Sequence, residues 1–307
     1  MRIRRPSLEE FQSKIGTAKR ELAASGADRR AGRPLSMRVD FHSHTTMSDG
    51  TLSPQALADF MGERQVEVFC ISDHDTLGAY GAFEAPAGSR YVTGIEINTT
   101  WRQNEVHVLG YNLPLGASPI NALLEYNQEQ RRMRAQTMVD QLRRAGYGLT
   151  LDDVLREADE AHSVGRPHVA KALVRAGMTQ SVDSAFRDIL GRGKPGYVPQ
   201  LYTTPQRAIE TIVEAGGVPV LAHPGRLKDR VLIDELASHG GLRGLEVFYP
   251  LHDESDVAAF RAKAREYGLV MTAGMDFHDI RYHTKGVGID VDEADIAPFL
   301  ELVEVFA

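Results

Sequence analysis

The feature that most constrains this chain is a repeated coincidence: short β-rich runs end on, or contain, histidine, aspartate or glutamate. Arg38-Val39-Asp40-Phe41 leads into His42-Ser43-His44, and Asp49 follows in the loop Ser48-Asp49-Gly50-Thr51. Val66 to Ile71 leads into Asp73-His74-Asp75, Tyr91 to Ile97 contains Glu96, and Val106 to Leu109 contains His107. Val218 to Ala222 meets His223-Pro224-Gly225-Arg226, Leu245 to Tyr249 contains Glu246, and Leu269 to Ala273 precedes Met275-Asp276-Phe277-His278. Six of the 11 histidines lie within or just beyond such runs, which chance would not arrange. Side chains two apart on a strand share a face, so His42 and His44 can point the same way.

Helical patterns over Ser53 to Arg64, Pro205 to Ala215 and Glu254 to Tyr267 alternate with the runs. That alternation predicts an α/β fold of parallel βα units with right-handed crossovers. Seven or so strands suggest a closed or nearly closed barrel, with functional groups gathered at the carboxyl ends of the strands. Residues 112–200 break the rhythm. They read as helices over Ile120 to Ala145, Thr150 to Glu160, Pro167 to Ala176 and Ser181 to Leu190, with a strand only at Tyr197-Val198. The division expected is a barrel in two parts, 37–111 and 201–307, with a helical insertion at 112–200 covering its mouth. Residues 1–36 form an extension: a capping box at Ser7 and an apolar stripe through Phe11 and Ile15 predict a helix over 7–24, then an Arg/Gly-rich linker.

Nine candidate ligands, His42, His44, Asp49, His74, Glu96, His107, His223, Asp276 and His278, are too many for one ion and suit two or three sharing carboxylates. Imidazole with carboxylate favours divalent manganese, zinc or iron. Such clusters activate water and clamp phosphoryl oxygens. The one cysteine, Cys70, sits in an apolar run and reads as a buried strand residue. It suits a reducing cytoplasm and excludes a disulfide framework. No run approaches membrane-span length. No feature calls for an obligate protein partner. The net charge of −7 argues mildly against a generic nucleic-acid binder. Residues 112–200, however, carry 12 Lys/Arg against 10 Asp/Glu, a local positive excess that favours an anionic substrate.

These motifs, taken in order from about Met37 to Asp290, resemble the PHP (polymerase and histidinol phosphatase) family. The resemblance implies a distorted seven-stranded β/α barrel with a trinuclear centre. On that pattern His42, His44, Glu96 and Asp276 hold one metal, Glu96, His107 and His223 a second, and Asp49, His74 and His278 a third. A hydroxide between the first two would attack phosphorus in line. Manganese is the expected ion. Met275 stands where the family usually has serine, so hydrogen bonding near the cluster is expected to differ. Asp73, Asp75 and Glu246 are expected to orient ligating imidazoles.

Gly165-Arg166-Pro167-His168, Gly191 to Pro199 and Ala222 to Arg226 resemble the branch that contains nucleoside 3′,5′-bisphosphate phosphatases and the 5′→3′ exoribonuclease RNase AM. The implied substrate is a nucleotide or short RNA. Arg166 and Arg226 are expected to anchor its phosphates through their planar donor forks. His168 would contact phosphate or protonate the leaving oxygen; the alternative for it is a structural role at a helix start, and for Arg166 a surface ion pair. Lys194 and Tyr197 complete the candidate substrate contacts. Rival expectations are a small-molecule phosphatase such as one acting on histidinol phosphate, an amidohydrolase, and a metal-dependent nucleic-acid-binding module without turnover.

Overall fold

Period-two alternation decides how the first strand is used. In β1 (Ser36–Asp40) Met37 and Val39, with Phe41 beyond, point into an apolar core, which turns Asp40, His42 and His44 to the opposite face. The computed structural model describes residues 36–307 apart from 117, 159–160, 162, 240 and 282–285. The helix expected over 7–24 and the linker after it lie outside the described residues.

After β1 come α1 (Pro54–Glu63), β2 (Val68–Phe69), β3 (Arg90–Tyr91), β4 (Gly94–Trp101) and β5 (Asn104–Tyr111). α1 starts where Ser53 caps Ala56 N–H and Pro54 presets the first turn, and it buries Leu57, Ala58 and Met61. The helical section holds α2 (Pro119–Arg144), α3 (Leu151–Ala158), α4 (Arg166–Arg175) and α5 (Val182–Ala185). The helix expected to run from Ser181 to Leu190 becomes a π turn at Phe186–Leu190. Then follow α6 (Pro205–Glu214), β6 (Val218–Leu221), α7 (Val231–His239), β7 (Gly244–Phe248), α8 (Glu254–Tyr267), β8 (Val270–Ala273), β9 (Ile289–Asp292) and α9 (Glu293–Leu300).

The ladders form two sheets, in the orders β3-β2-β1-β9 and β4-β5-β6-β7-β8. Isolated bridges between Ser43 and Phe277 and between His74 and Glu96 join the chain just past β1 and β2 to the segment just past β8 and to β4, at the two edges of the other sheet. Phe41 N also donates to Ala273 O at 2.8 Å. The parallel pattern expected throughout holds for β1, β2 and β3 and for β6, β7 and β8. Elsewhere it fails: β5 runs antiparallel to both β4 and β6, and β9 antiparallel to β1. For β5 the reason is local. Arg102 and Gln103, at φ 45° and 63°, make a two-residue turn that can only reverse the chain.

The strand expected at Tyr197-Val198 is absent. Arg134 instead donates both Nε (3.0 Å) and Nη2 (2.9 Å) to the Val198 carbonyl, which ties that segment to α2 by a side chain. Helices α2, α4 and the π turn share an apolar cluster of their own, with Met138, Leu142, Val169, Leu173 and Leu190. Cys70 is buried in the sheet core, where desolvation pushes its thiol up to about 12 and leaves it inert. Among the described residues, no helix is long and apolar enough to cross a membrane.

One glycine fixes how closely β8 approaches β1. A Cβ on Gly274 would fall 2.3 Å from His42 Cβ and 2.5 Å from Glu246 Oε1. Gly274→Ala should therefore cost about 1–3 kcal/mol by overpacking, seen as a lower denaturant midpoint at unchanged m value. An unchanged midpoint would show that the contact yields freely.

Candidate metal centre

Asp40 builds the first part of the site although it ligates nothing. Its Oδ1 accepts the backbone N–H groups of His42 (3.3 Å) and Met275 (3.0 Å), and Oδ2 accepts that of Gly288 (3.0 Å). Burial pushes its pKa up to about 6 against those three donors. One buried carboxylate thus fastens the His42-Ser43-His44 strand end to the loop that carries Asp276.

Four donor atoms converge above it. His42 Nε2 lies 3.2 Å from Glu96 Oε2 and 3.3 Å from Asp276 Oδ1; His44 Nε2 lies 3.1 and 3.2 Å from the same two oxygens. These separations match the edges around one ion whose ligand bonds are about 2.0–2.1 Å. The other Glu96 oxygen meets His107 Nδ1 at 2.6 Å and His223 Nε2 at 3.1 Å. Asp49 faces His278 at 3.3 Å and His74 at 3.9 Å, and His74 Nδ1 is 3.0 Å from Glu96 Oε2. The groups with donor atoms within 4.8 Å are His42-His44-Glu96-Asp276, His44-Asp49-His74-His278 and His74-Glu96-His107. All nine side chains singled out in the sequence therefore meet in one cluster.

The cluster fits divalent ions on its own chemistry. His42 Nε2, both His44 ring nitrogens, His74 Nδ1 and Glu96 Oε2 are buried with no hydrogen-bond partner, a cost a coordinated cation removes. Burial alone would depress the buried imidazoles, yet the facing carboxylates lift His44 to about 9 and His107 to about 10. Burial would likewise raise Asp49, Glu96 and Asp276, but the imidazoles hold all three well below the usual carboxylate range. Burial prevails at His74 and His223, whose imidazoles are pushed down, so positive charge is drawn chiefly to His42, His44 and His107. Asp75, His223 and Asp276 all have positive φ (53°, 28° and 53°), strain that gathers at functional sites.

The supporting residues differ in part from expectation. Glu246 does orient imidazole: its Oε1 meets His42 Nδ1 at 3.0 Å, and its Oε2 accepts His223 N–H at 2.7 Å. Asp73 and Asp75 face away from the His74 ring. Asp73 accepts from Thr45 N–H and the Thr45 and Ser48 hydroxyls, while Asp75 accepts from Arg131, Asn127 and Asn98 N–H. Consecutive strand-end residues point opposite ways, so their direction depended on the turn. Met275 is buried against Phe277 and the α1 core, so only its backbone serves the site.

A cavity of about 450 Å³ opens over the cluster. Arg166, Arg226 and Tyr197 line it; Lys194 and His168 do not. Arg166 stands 3.5 Å from Glu105 and over the Phe186 ring, and Arg226 donates to Asp276 Oδ2 at 3.2 Å. His168 begins α4: its Nδ1 accepts Gly165 N–H at 2.9 Å, and its ring also bonds the Ser48 backbone. Burial pushes its pKa down to about 4. The Nδ1 contact is helix-start geometry, the alternative weighed for this residue. Lys194 is exposed on the Gly191–Gly196 turn.

The sequence reading missed Arg131, Arg134, Arg192 and Lys228 on the cavity wall, and Tyr249, whose hydroxyl donates to Asp276 Oδ2 at 3.3 Å. A signal existed for Arg131. It sits, with Asn127, on the α2 stripe whose other members are Ile120, Leu123, Leu124, Ala135 and Met138, where a polar residue needs a reason.

No family model matches the chain. It is 35% identical over 253 residues to the 5′-3′ exoribonuclease Rnm of Escherichia coli, covering 78% of this chain and 84% of that one. It is 32% identical over 249 residues to the 3′,5′-nucleoside bisphosphate phosphatase of Chromobacterium violaceum, covering 78% and 87%. Two solved structures superpose with TM-score 0.76. One is an amidohydrolase from Chromobacterium violaceum with bound sulfate and no metal, 31% identical over 86% of this chain and 95% of that one. The other is a metal-dependent phosphoesterase from Bifidobacterium adolescentis, 28% identical over 88% and 96%. With relatives at this identity over most of its length and a buried His/Asp/Glu cluster at its centre, the chain belongs to the PHP (polymerase and histidinol phosphatase) family of metal-dependent phosphoesterases.

Proposed function

We propose that the chain hydrolyses phosphate esters of nucleotides or RNA ends, removing the 3′-phosphate of 3′,5′-bisphosphates, trimming 5′-phosphorylated RNA from its 5′ end, or both. The observation that carries this reading is a cavity with a metal-ligand cluster on its floor and Arg134, Arg166 and Arg192 on its wall. A substrate with two phosphates suits that pairing of sites. The names of the relatives support the same substrates.

In this reading the nine ligands hold two or three divalent ions, manganese the expected one, in the grouping His42-His44-Glu96-Asp276, Glu96-His107-His223 and Asp49-His74-His278. The ions would supply positive charge at the phosphoryl oxygens and make a water acidic enough to act as nucleophile near neutral pH. Glu96, shared by the first two groups, would keep those centres close. Glu246 fixes the His42 ring, and Tyr249 with Arg226 holds the outer Asp276 oxygen. Arg166 and Arg226 anchor phosphate, and Tyr197 borders the substrate; Lys194 lies off the cavity lining, and His168 sits at the α4 start. Strands β1, β2 and β4 to β8 then make the distorted seven-stranded barrel, its ring completed by the isolated bridges, with 112–200 as its cap. The enzyme would work in the cytoplasm.

A phosphate-release panel with Mn²⁺ over adenosine 3′,5′-bisphosphate, short 5′-phosphorylated RNA and DNA, and histidinol phosphate tests the proposal. Turnover of one of the first two is expected; if both stay intact, the proposal is wrong. Turnover of histidinol phosphate alone would favour the small-molecule phosphatase. Asp276→Asn should lower kcat by at least about 100-fold, because it removes charge from the centre. Arg166→Ala should chiefly raise KM, by about 10- to 100-fold, the worth of a charge-assisted hydrogen bond. A wild-type KM in that variant would remove Arg166 from phosphate anchoring.

A further inference from the structure

Glu105 precedes His107 by two residues on β5, so both side chains lie on one face. Neither the ligand set nor the anchoring arginines include it. Its Oε1 accepts from His107 Nε2 at 3.0 Å and from Asn98 Nδ2 at 3.1 Å. Its Oε2 stands 3.5 Å from Arg166 Nη2. The Asn98 amide nitrogen is also 3.1 Å from His107 Nε2, and its carbonyl oxygen accepts from Arg131. The Asn98 N–H and the ring N–H therefore converge on one carboxylate oxygen. With the proton kept on Nε2, the lone pair of Nδ1 is left facing Glu96 and the cluster.

At the other oxygen the partner is the first residue of α4, whose guanidinium also rests over the Phe186 ring. One side chain thus bridges the metal cluster and the helical section. We propose that Glu105 is a positioning residue whose two oxygens act separately: one fixes His107 with Nδ1 turned to the metals, and the other holds Arg166 at the cavity wall. The second half rests on the reading of Arg166 as a phosphate anchor; the first does not.

The test uses full-length protein loaded with Mn²⁺ and challenged with graded chelator, retained metal being counted directly. KM for adenosine 3′,5′-bisphosphate and thermal melting are measured in parallel. Glu105→Ala should release metal at chelator levels about 10- to 100-fold lower than the wild type, the usual effect of removing a partner that orients a ligand. Glu105→Gln should retain metal like the wild type, because its amide oxygen can still accept from His107. Its amide nitrogen cannot hold Arg166, so KM should rise in both variants. Arg166→Ala should retain metal. Wild-type retention in Glu105→Ala overturns the proposal, as does equal metal loss in Arg166→Ala, which would trace the effect to the helical section as a whole. Equal loss in Glu105→Gln and Glu105→Ala would refute the separation of the two oxygens. If the bisphosphate is not turned over, the substrate reading fails while the chelator measurement still decides the His107 half.

Discussion

Everything in this structure accommodates one expensive arrangement: the fully buried carboxylate of Glu96, ringed by the imidazoles of His42, His44, His74, His107 and His223. An ionised carboxylate in the interior costs several kcal/mol unless its charge is met and its lone pairs are used. Around it lie five more buried acids, Asp40, Asp73, Asp75, Glu246 and Asp276. The non-ligating ones are satisfied by backbone N–H groups, hydroxyls, Arg131 or an imidazole. Glu96 Oε2 has no hydrogen-bond partner at all. That asymmetry separates the carboxylates that hold the fold from Glu96, whose surroundings suit a cation.

The same demand explains the irregular backbone around the centre. A regular strand end cannot aim three loops at one point, so Asp75, His223 and Asp276 adopt positive φ. Each such residue costs on the order of 1–3 kcal/mol and persists only where its surroundings over-determine it. Asp75 meets that condition through Arg131, Asn127 and Asn98. Asp276 is held by Tyr249, by Arg226 and by its own N–H, which donates to the His42 carbonyl. The loops are strained where their side chains are most tightly held.

How much of this was legible follows from what each residue's direction depends on. His42 and His44 were readable because strand periodicity alone sets their face. The ligands from His74 onward were readable because each sits within or just beyond a β-rich run. The directions of Asp73 and Asp75 depend on turn geometry that no local pattern encodes, and both turned away from the neighbouring ring. The β4–β5 reversal was hidden in Arg102-Gln103, a pair without the glycine that usually marks such a turn. His168 looked chemical because Gly165-Arg166-Pro167-His168 resembles the nucleotide-acting branch, yet a histidine three residues into a helix can also cap it. Its contact with Gly165 has that capping geometry.

The helical section is where local reading gave least, because its role depends on polar residues placed at apolar positions. Asn127 and Arg131 occupy the buried stripe of α2 and reach Asp75, which itself follows the ligand His74. A guanidinium removed from water there is tolerable only because Asp75 and Asn98 receive it, and Asp75 is equally dependent on Arg131. So α2 could not drift from the sheets without stranding a buried charge on each side. Glu105 and Arg166 repeat the device at the rim, with weaker geometry and more exposure. The deep pair fixes where the helices sit; the rim pair holds Arg166 against the cavity wall.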